Sequence, residues 1–204
     1  MQGKGDYDII NLIWQIKGVF SMEALQLDTR YTFADYKKWD SGVRYEFIDG
    51  IPYAMAAPSP FHEYIKSEIT RQIGNFLSGK PCRVYGSAAV RLNAESYDDT
   101  HFEPDIVVVC DQSKVKGDSI VGAPDLVVEI LSPTTSRCDR GVKYERYQAF
   151  GVREYWIVNP EDQSVQTHVL HGGKYDMTFY ADVETVPVYI FEGCRIDLKT
   201  VFDS

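Results

Sequence analysis

Two stretches constrain the fold most: residues 102–110, "FEPDIVVVC", and residues 124–131, "PDLVVEIL". Each is a nearly unbroken apolar run rich in Val and Ile. A strand with one face in water alternates apolar and polar residues, whereas a strand covered on both faces does not. The two runs therefore predict central strands of a sheet enclosed between layers. Each also carries an acid, Asp105 in the first and Glu129 in the middle of the second. An unpaired buried carboxylate costs several kcal/mol, so both must be protonated, paired or bound to a cation. Two acids on neighbouring strands repel, and a divalent cation relieves that repulsion directly. Separate pairing of each acid with an arginine or a backbone amide is an equally open reading of the pattern.

The rest of the chain fills in the layers. Thr32 caps a short helix through Trp39. "RYEFIDGIPYAM" (44–55) is a hairpin turning at Asp49-Gly50. Ser59-Pro60 opens a helix over 60–78, with Ile65, Ile69, Ile73 and Phe76 on its buried face. "CRVYGSAAVRL" (82–92) reads as one strand, and polar "NAESYDDTH" (93–101) as a loop. A helix over 139–150 closes at Gly151, and "REYWIVN" (153–159) is the next strand. After Pro160 come three short strands, "SVQTHVL", "KYDMTFYA" and "TVPVYIF", the first two joined at His171-Gly172-Gly173-Lys174. The order predicts an α/β (α+β) fold with a central mixed sheet flanked by helices and a β-rich C-terminal extension. The extension is too slight for a core of its own and is expected to lengthen the sheet or build a dimer contact.

The 204 residues suit one domain over 31–204 after an N-terminal extension over 1–30. In that extension Ile9, Ile13, Ile16 and Phe20 recur at helical spacing, and Met22 opens an alternative start. Its apolar stretch is too short to span a bilayer, so no membrane association is expected. The net charge of −9 argues against a broad electrostatic grip on nucleic acid but leaves a local basic patch open. Cys82, Cys110, Cys138 and Cys194 form no CxxC pair and read as reduced, mostly structural thiols of a cytoplasmic protein.

The blocks "YEFIDGIPYAMAAPSPFHEYI", "FEPDIVVV" and "APDLVVEILSPTTSRCDRGVKYERYQAFGVREYWIVNP" resemble the Uma-type family of restriction-endonuclease-like proteins, of PD-(D/E)xK pattern, over about residues 31–200. The resemblance implies a restriction-endonuclease-like core and a metal-dependent endonuclease acting on DNA, with Mg²⁺ or Mn²⁺ as cofactor. It implies that Asp105 and Glu129 hold the metal. The pattern's lysine would stand two residues after Glu129, where this chain has Leu131. Lys143 is the replacement candidate. It shares a helical face with Tyr147 and Phe150, which should point at the sheet, and its stem would bring the ammonium to the acids. The opposing reading has Lys143 reaching the rim and pairing with a surface acid.

Other candidates keep two readings each. His62, in the first helical turn, either binds the metal, its water or a phosphate, or is a satisfied core or capping histidine. Glu46, which the resemblance sets near the site, otherwise faces solvent on its hairpin. Asp125 either supports the site or merely begins its strand. Arg137, Arg140, Arg146 and Arg153 surround Lys143 and are either nucleic-acid contacts or a salt-bridged helix face. Tyr144 either lines the cleft or packs. Cutting both strands of a duplex needs two sites, so a homodimer is expected. The rival to the enzyme is a non-catalytic nucleic-acid-binding or self-associating protein on the same scaffold.

Overall fold

The computed structural model describes residues 29–40, 42–132 and 136–203, with Arg137 as backbone alone. The expected helix over 9–20 lies outside them. Helix α1 (Phe33–Tyr36) opens on a capping box: Thr32 accepts from the Asp35 amide while the Asp35 carboxylate accepts from the Thr32 amide. It is shorter than expected and stops before Trp39. Strands β1 (Tyr45–Ile48) and β2 (Ile51–Ala54) form the expected hairpin. Gly50 has φ +78°, and a Cβ there would lie 2.9 Å from the Arg30 Cβ. Helix α2 (Pro60–Leu77) is N-capped by Ser59, whose hydroxyl accepts from the His62 amide.

The stretch expected as one strand over 82–92 is two: β3 (Arg83–Gly86) and β4 (Ala89–Arg91), in different sheets. Between them Ser87 takes φ +49°, and the chain leaves one sheet for the other. After β5 (His101–Phe102) comes β6 (Ile106–Val109), then the short β7 (Val115–Lys116) and β8 (Ser119–Val121), then β9 (Leu126–Ile130). Helix α3 (Ser136–Cys138) runs through a π turn (Asp139–Lys143) into α4 (Tyr144–Phe150), ended by Gly151 at φ +85°. The chain closes with β10 (Glu154–Asn159), β11 (Ser164–His171), β12 (Lys174–Tyr180), β13 (Thr185–Pro187), β14 (Arg195–Asp197) and α5 (Leu198–Phe202).

The main sheet runs β12-β11-β10-β9-β6-β3, with β9 and β10 parallel and the other pairs antiparallel. It is covered on both faces, as the apolar runs predicted. On one side Ile106, Val108, Leu126, Val128 and Ile130 pack with Ile65, Ile69 and Ile73 of α2. On the other, Val107, Val109, Val127 and Leu131 pack with Tyr147 and with Val90, Phe102 and Ile120 of the smaller sheet, β2-β1-β5-β4-β8-β7. The tail does extend the main sheet, through β11 and β12. Its third expected strand shrinks to β13 and pairs with β14 as a separate ribbon.

Two further expectations fail. Phe150 is 38% exposed and does not face the sheet; Gly151 turns the chain away immediately after it. Cys82 and Cys110 are not thiols but are joined in a disulfide. The reason is register: Arg83 pairs with Val109 across β3 and β6, so one step further the two cysteines stand opposite each other. Cys138 and Cys194 are free. Among the described residues no helix is long and apolar enough to cross a membrane.

Candidate active site

Strand pairing assembles the two acids. Strands β6 and β9 are antiparallel with Ile106 opposite Val128, so one step beyond the ladder Asp105 falls opposite Glu129. Directly opposed residues of an antiparallel pair project to the same side. Asp105 Oδ2 accepts from the Ile130 amide at 2.8 Å. Glu129 Oε1 accepts from Lys143 Nζ at 2.9 Å and from the Tyr147 hydroxyl at 3.0 Å. Both acids line a cleft of roughly 630 Å³.

Lys143 is buried there, its side chain 4% exposed. Besides Glu129 it meets Glu46 Oε1 at 2.9 Å and Asp139 Oδ1 at 3.2 Å. Three carboxylates therefore surround the ammonium within ion-pair distance. The π turn presents Asp139 and Lys143 to the interior together, tied down where the Tyr155 hydroxyl donates to the Asp139 carbonyl at 3.0 Å. Such turns recur at functional sites. Glu46 arrives from the smaller sheet, where its Oε1 also accepts from the Glu103 amide at 2.9 Å. His62, in the first turn of α2, places Nε2 3.0 Å from the Ile130 carbonyl and 3.2 Å from Asp105 Oδ2.

The charges do not balance. Four carboxylates (Glu46, Asp105, Glu129 and Asp139) share the cleft with Lys143 and His62. With both bases cationic the cluster is two charges short of neutrality. Burial raises the Glu129 pKa well above the ordinary range; Lys143 lowers it, but Asp139, Glu46 and Asp105 push it up again. Burial alone would lower Lys143, yet Glu129, Glu46 and Asp139 outweigh it and keep the ammonium charged. Burial likewise opposes protonation of His62, but its bond to Asp105, that carboxylate's charge, the Ile130 carbonyl and Glu63 raise its pKa overall.

The expected site residues separate into two groups. Asp105, Glu129, Lys143, Glu46 and His62 converge, and Arg140 stands exposed on the cleft wall. Glu46 is buried and does not face solvent. The others lie elsewhere. Asp125 is four residues up the strand from Glu129, roughly 13 Å away, and binds the Cys110 amide and Arg153. Tyr144 packs on His168 and Tyr175, at ring distances of 5.0 and 5.3 Å. Arg146 pairs with Asp49; the Arg137 side chain is outside the described residues. The arginines thus do not form one patch around Lys143. Leu131, at the pattern's lysine position, is buried in the core. The sequence reading missed Asp139, although it stands four residues before Lys143 on one helical face. It also missed Lys66, four residues after His62, which lines the same cleft.

This arrangement can be set beside known proteins. The family model of Uma2, described as "Putative restriction endonuclease", matches residues 33–199. The chain belongs to the Uma2 family. Within reach of this Uma2 chain is the uncharacterized protein slr1290 of Synechocystis sp. (strain ATCC 27184 / PCC 6803 / Kazusa), 33% identical over 118 residues. The match covers 55% of this chain and 60% of that protein, so this chain spans under two thirds of its relative's length. The fold is similar to the crystal structure of a protein from Anabaena variabilis ATCC 29413 described as "a putative nuclease belonging to DUF820". The TM-score is 0.69 at 20% identity, covering 84% of this chain and 97% of the other. That likeness is one of fold, the nuclease-like mixed α/β arrangement.

Proposed function

We propose that the cleft is the active site of a divalent-metal-dependent endonuclease that hydrolyses phosphodiester bonds in DNA, with Asp105 and Glu129 holding Mg²⁺ or Mn²⁺. The observation that carries this reading is a pair of uncommitted oxygens beside an uncompensated charge. Asp105 Oδ1 and Glu129 Oε2 have no hydrogen-bond partner among the described residues, while their sister oxygens are both engaged. Among the described residues no three His, Cys, Asp or Glu side chains form a closed metal cage. Mg²⁺ does not require one: it keeps several waters and is commonly held by one or two carboxylates. The donor set therefore fits the ion. A bound ion supplies a polarised phosphoryl oxygen and a water of lowered pKa.

The chain's own residues do the rest. Lys143 and Tyr147 hold one Glu129 oxygen so that the other faces the cleft. The Ile130 amide and His62 do the same for Asp105. Lys143 acts here by positioning, not on the attacking water. Arg140, exposed on the wall and without an ion pair among the described residues, suits a flanking phosphate. Hydrolysis joins a water oxygen to phosphorus and breaks the phosphorus–oxygen ester bond. Net, one water proton ends on the leaving oxygen. A homodimer would cut both strands in one encounter.

The test is cleavage of single- and double-stranded DNA and of RNA with Mg²⁺ or Mn²⁺, comparing the parent with Asp105→Asn and Glu129→Gln, and light scattering for the dimer. The expected result is DNA cleavage by the parent and a loss of roughly 10²-fold or more in each variant. A parent that cuts no nucleic acid would favour a non-catalytic binding protein.

A further inference from the structure

Resting on that nuclease reading, we propose that Lys66, and not Lys143, is the lysine that meets the non-bridging oxygens of the scissile phosphate. The Lys143 ammonium bonds Glu129 and is ion-paired with Glu46 at 2.9 Å and Asp139 at 3.2 Å, enclosed by three carboxylates. To donate to a substrate it would have to abandon a buried carboxylate, which is costly in a low-dielectric site. Arg44 is tied by its Nε, at 2.7 Å, to Glu103.

Lys66 is placed differently. It stands one helical turn after His62 on the same face of α2, and both line the cleft with Asp105 and Glu129. Its Nζ lies 2.7 Å from Glu63 Oε1 and 3.2 Å from Ser87 Oγ, and its third proton has no partner among the described residues. The Glu63 bond is an i,i+3 pair to a side chain 42% exposed, and such pairs are weak. An incoming phosphate displaces it at little cost.

Ser87 gives the lysine its direction. It is a non-glycine residue at φ +49°, where the chain passes between sheets, and its amide donates to the Asp105 carbonyl at 3.1 Å. Residues held in this sparsely populated region cluster at functional sites. The hydroxyl thus holds the ammonium at the Asp105 end of the cleft, next to the acids and not buried among them. The competing description, an ordinary surface lysine in a helix pair, leaves unexplained its 17% side-chain exposure and its bond to a strained serine.

The experiment compares the full chain with Lys66→Met and Lys66→Gln, the latter still able to bond Ser87. Oligonucleotide affinity is measured in EDTA across a salt series, and single-turnover cleavage is measured with Mn²⁺. Both variants should keep the parent's melting midpoint and its stabilisation by Mn²⁺. Both should lower the salt slope of binding by about one and slow cleavage by roughly 10²-fold. Parent-like slope and rate in a folded variant would overturn the role of Lys66 while leaving the nuclease intact. A parent that neither binds nor cuts nucleic acid would overturn the nuclease reading and this one with it.

Discussion

Glu129 and Glu154 are buried glutamates on neighbouring strands, and their surroundings treat them in opposite ways. Glu154 accepts from the Trp156 indole at 2.6 Å and from the Tyr189 and Ile190 amides at 3.1 and 2.9 Å, so both its oxygens are engaged. Glu129 has one oxygen doubly engaged and the other open to the cleft. Glu129→Ala should therefore stay folded but lose stabilisation by Mn²⁺, read as the melting shift with and without the ion; a shift equal to the parent's would put the metal elsewhere. Lys143→Met keeps the stem and looks mild from the sequence, but it strands three buried acids. Chemical denaturation should show a loss of about 3–5 kcal/mol, partly restored when Glu46→Gln is added; a parent-like midpoint would contradict the three-carboxylate cage. Asp105, Glu129 and Lys143 were legible because strand parity and helical spacing are local rules. Asp139 obeyed the same spacing but was hidden by its place at a helix start, where an acid ordinarily meets the helix dipole. Lys66 was hidden because a lysine on an amphipathic helix ordinarily faces water. Asp125 and Tyr144 carried the right parity or neighbourhood, yet distance along a strand and aromatic packing are not visible in either.

Among the elements, β9, β10, α2 and the 44–55 hairpin followed from periodicity, caps and a turn pair. What the pattern hid was pairing across the chain. The break between β3 and β4 has only Gly86-Ser87 as its signal, and the Cys82–Cys110 bond depends on a register that sequence does not state. The C-terminal segment illustrates how such pairing matters. Glu154 pins residues 189 and 190 to β10, and β13, β14 and α5 then cover α2 with Val186, Ile196, Leu198 and Val201. Glu154→Ala leaves the indole and two amides unsatisfied and should cost on the order of 3 kcal/mol, with proteolysis beginning after Asn159; unchanged protease resistance would show the pin to be idle. A chain ending at Pro160 loses the whole cover and should be insoluble.

At the scale of the whole molecule, pH acts through a buried histidine of the smaller sheet, His101 of β5. Burial lowers the His101 pKa to about 4, against smaller raising effects of the Tyr45 carbonyl, Glu46 and Asp98, while Arg91 lowers it further. Unfolded, the ring titrates near 6.5. As pH falls below about 6.5 the unfolded chain takes up a proton that the folded chain refuses, so stability present at neutral pH is lost on the way to about 4. His101→Gln has no such proton, and the difference in unfolding free energy between parent and variant should shrink across that window; a flat difference would mean the ring takes up its proton at the same pH folded and unfolded. The two sheets meet at this end of the molecule, and Glu46 of the smaller one completes the cage around a lysine held against the larger. The cluster is thus a clasp between two layers, closed only while both are seated. On warming, the layers can part before either sheet melts, so the capacity to hold an ion should vanish some degrees ahead of the loss of strand signal, and return on cooling without any strand having been remade.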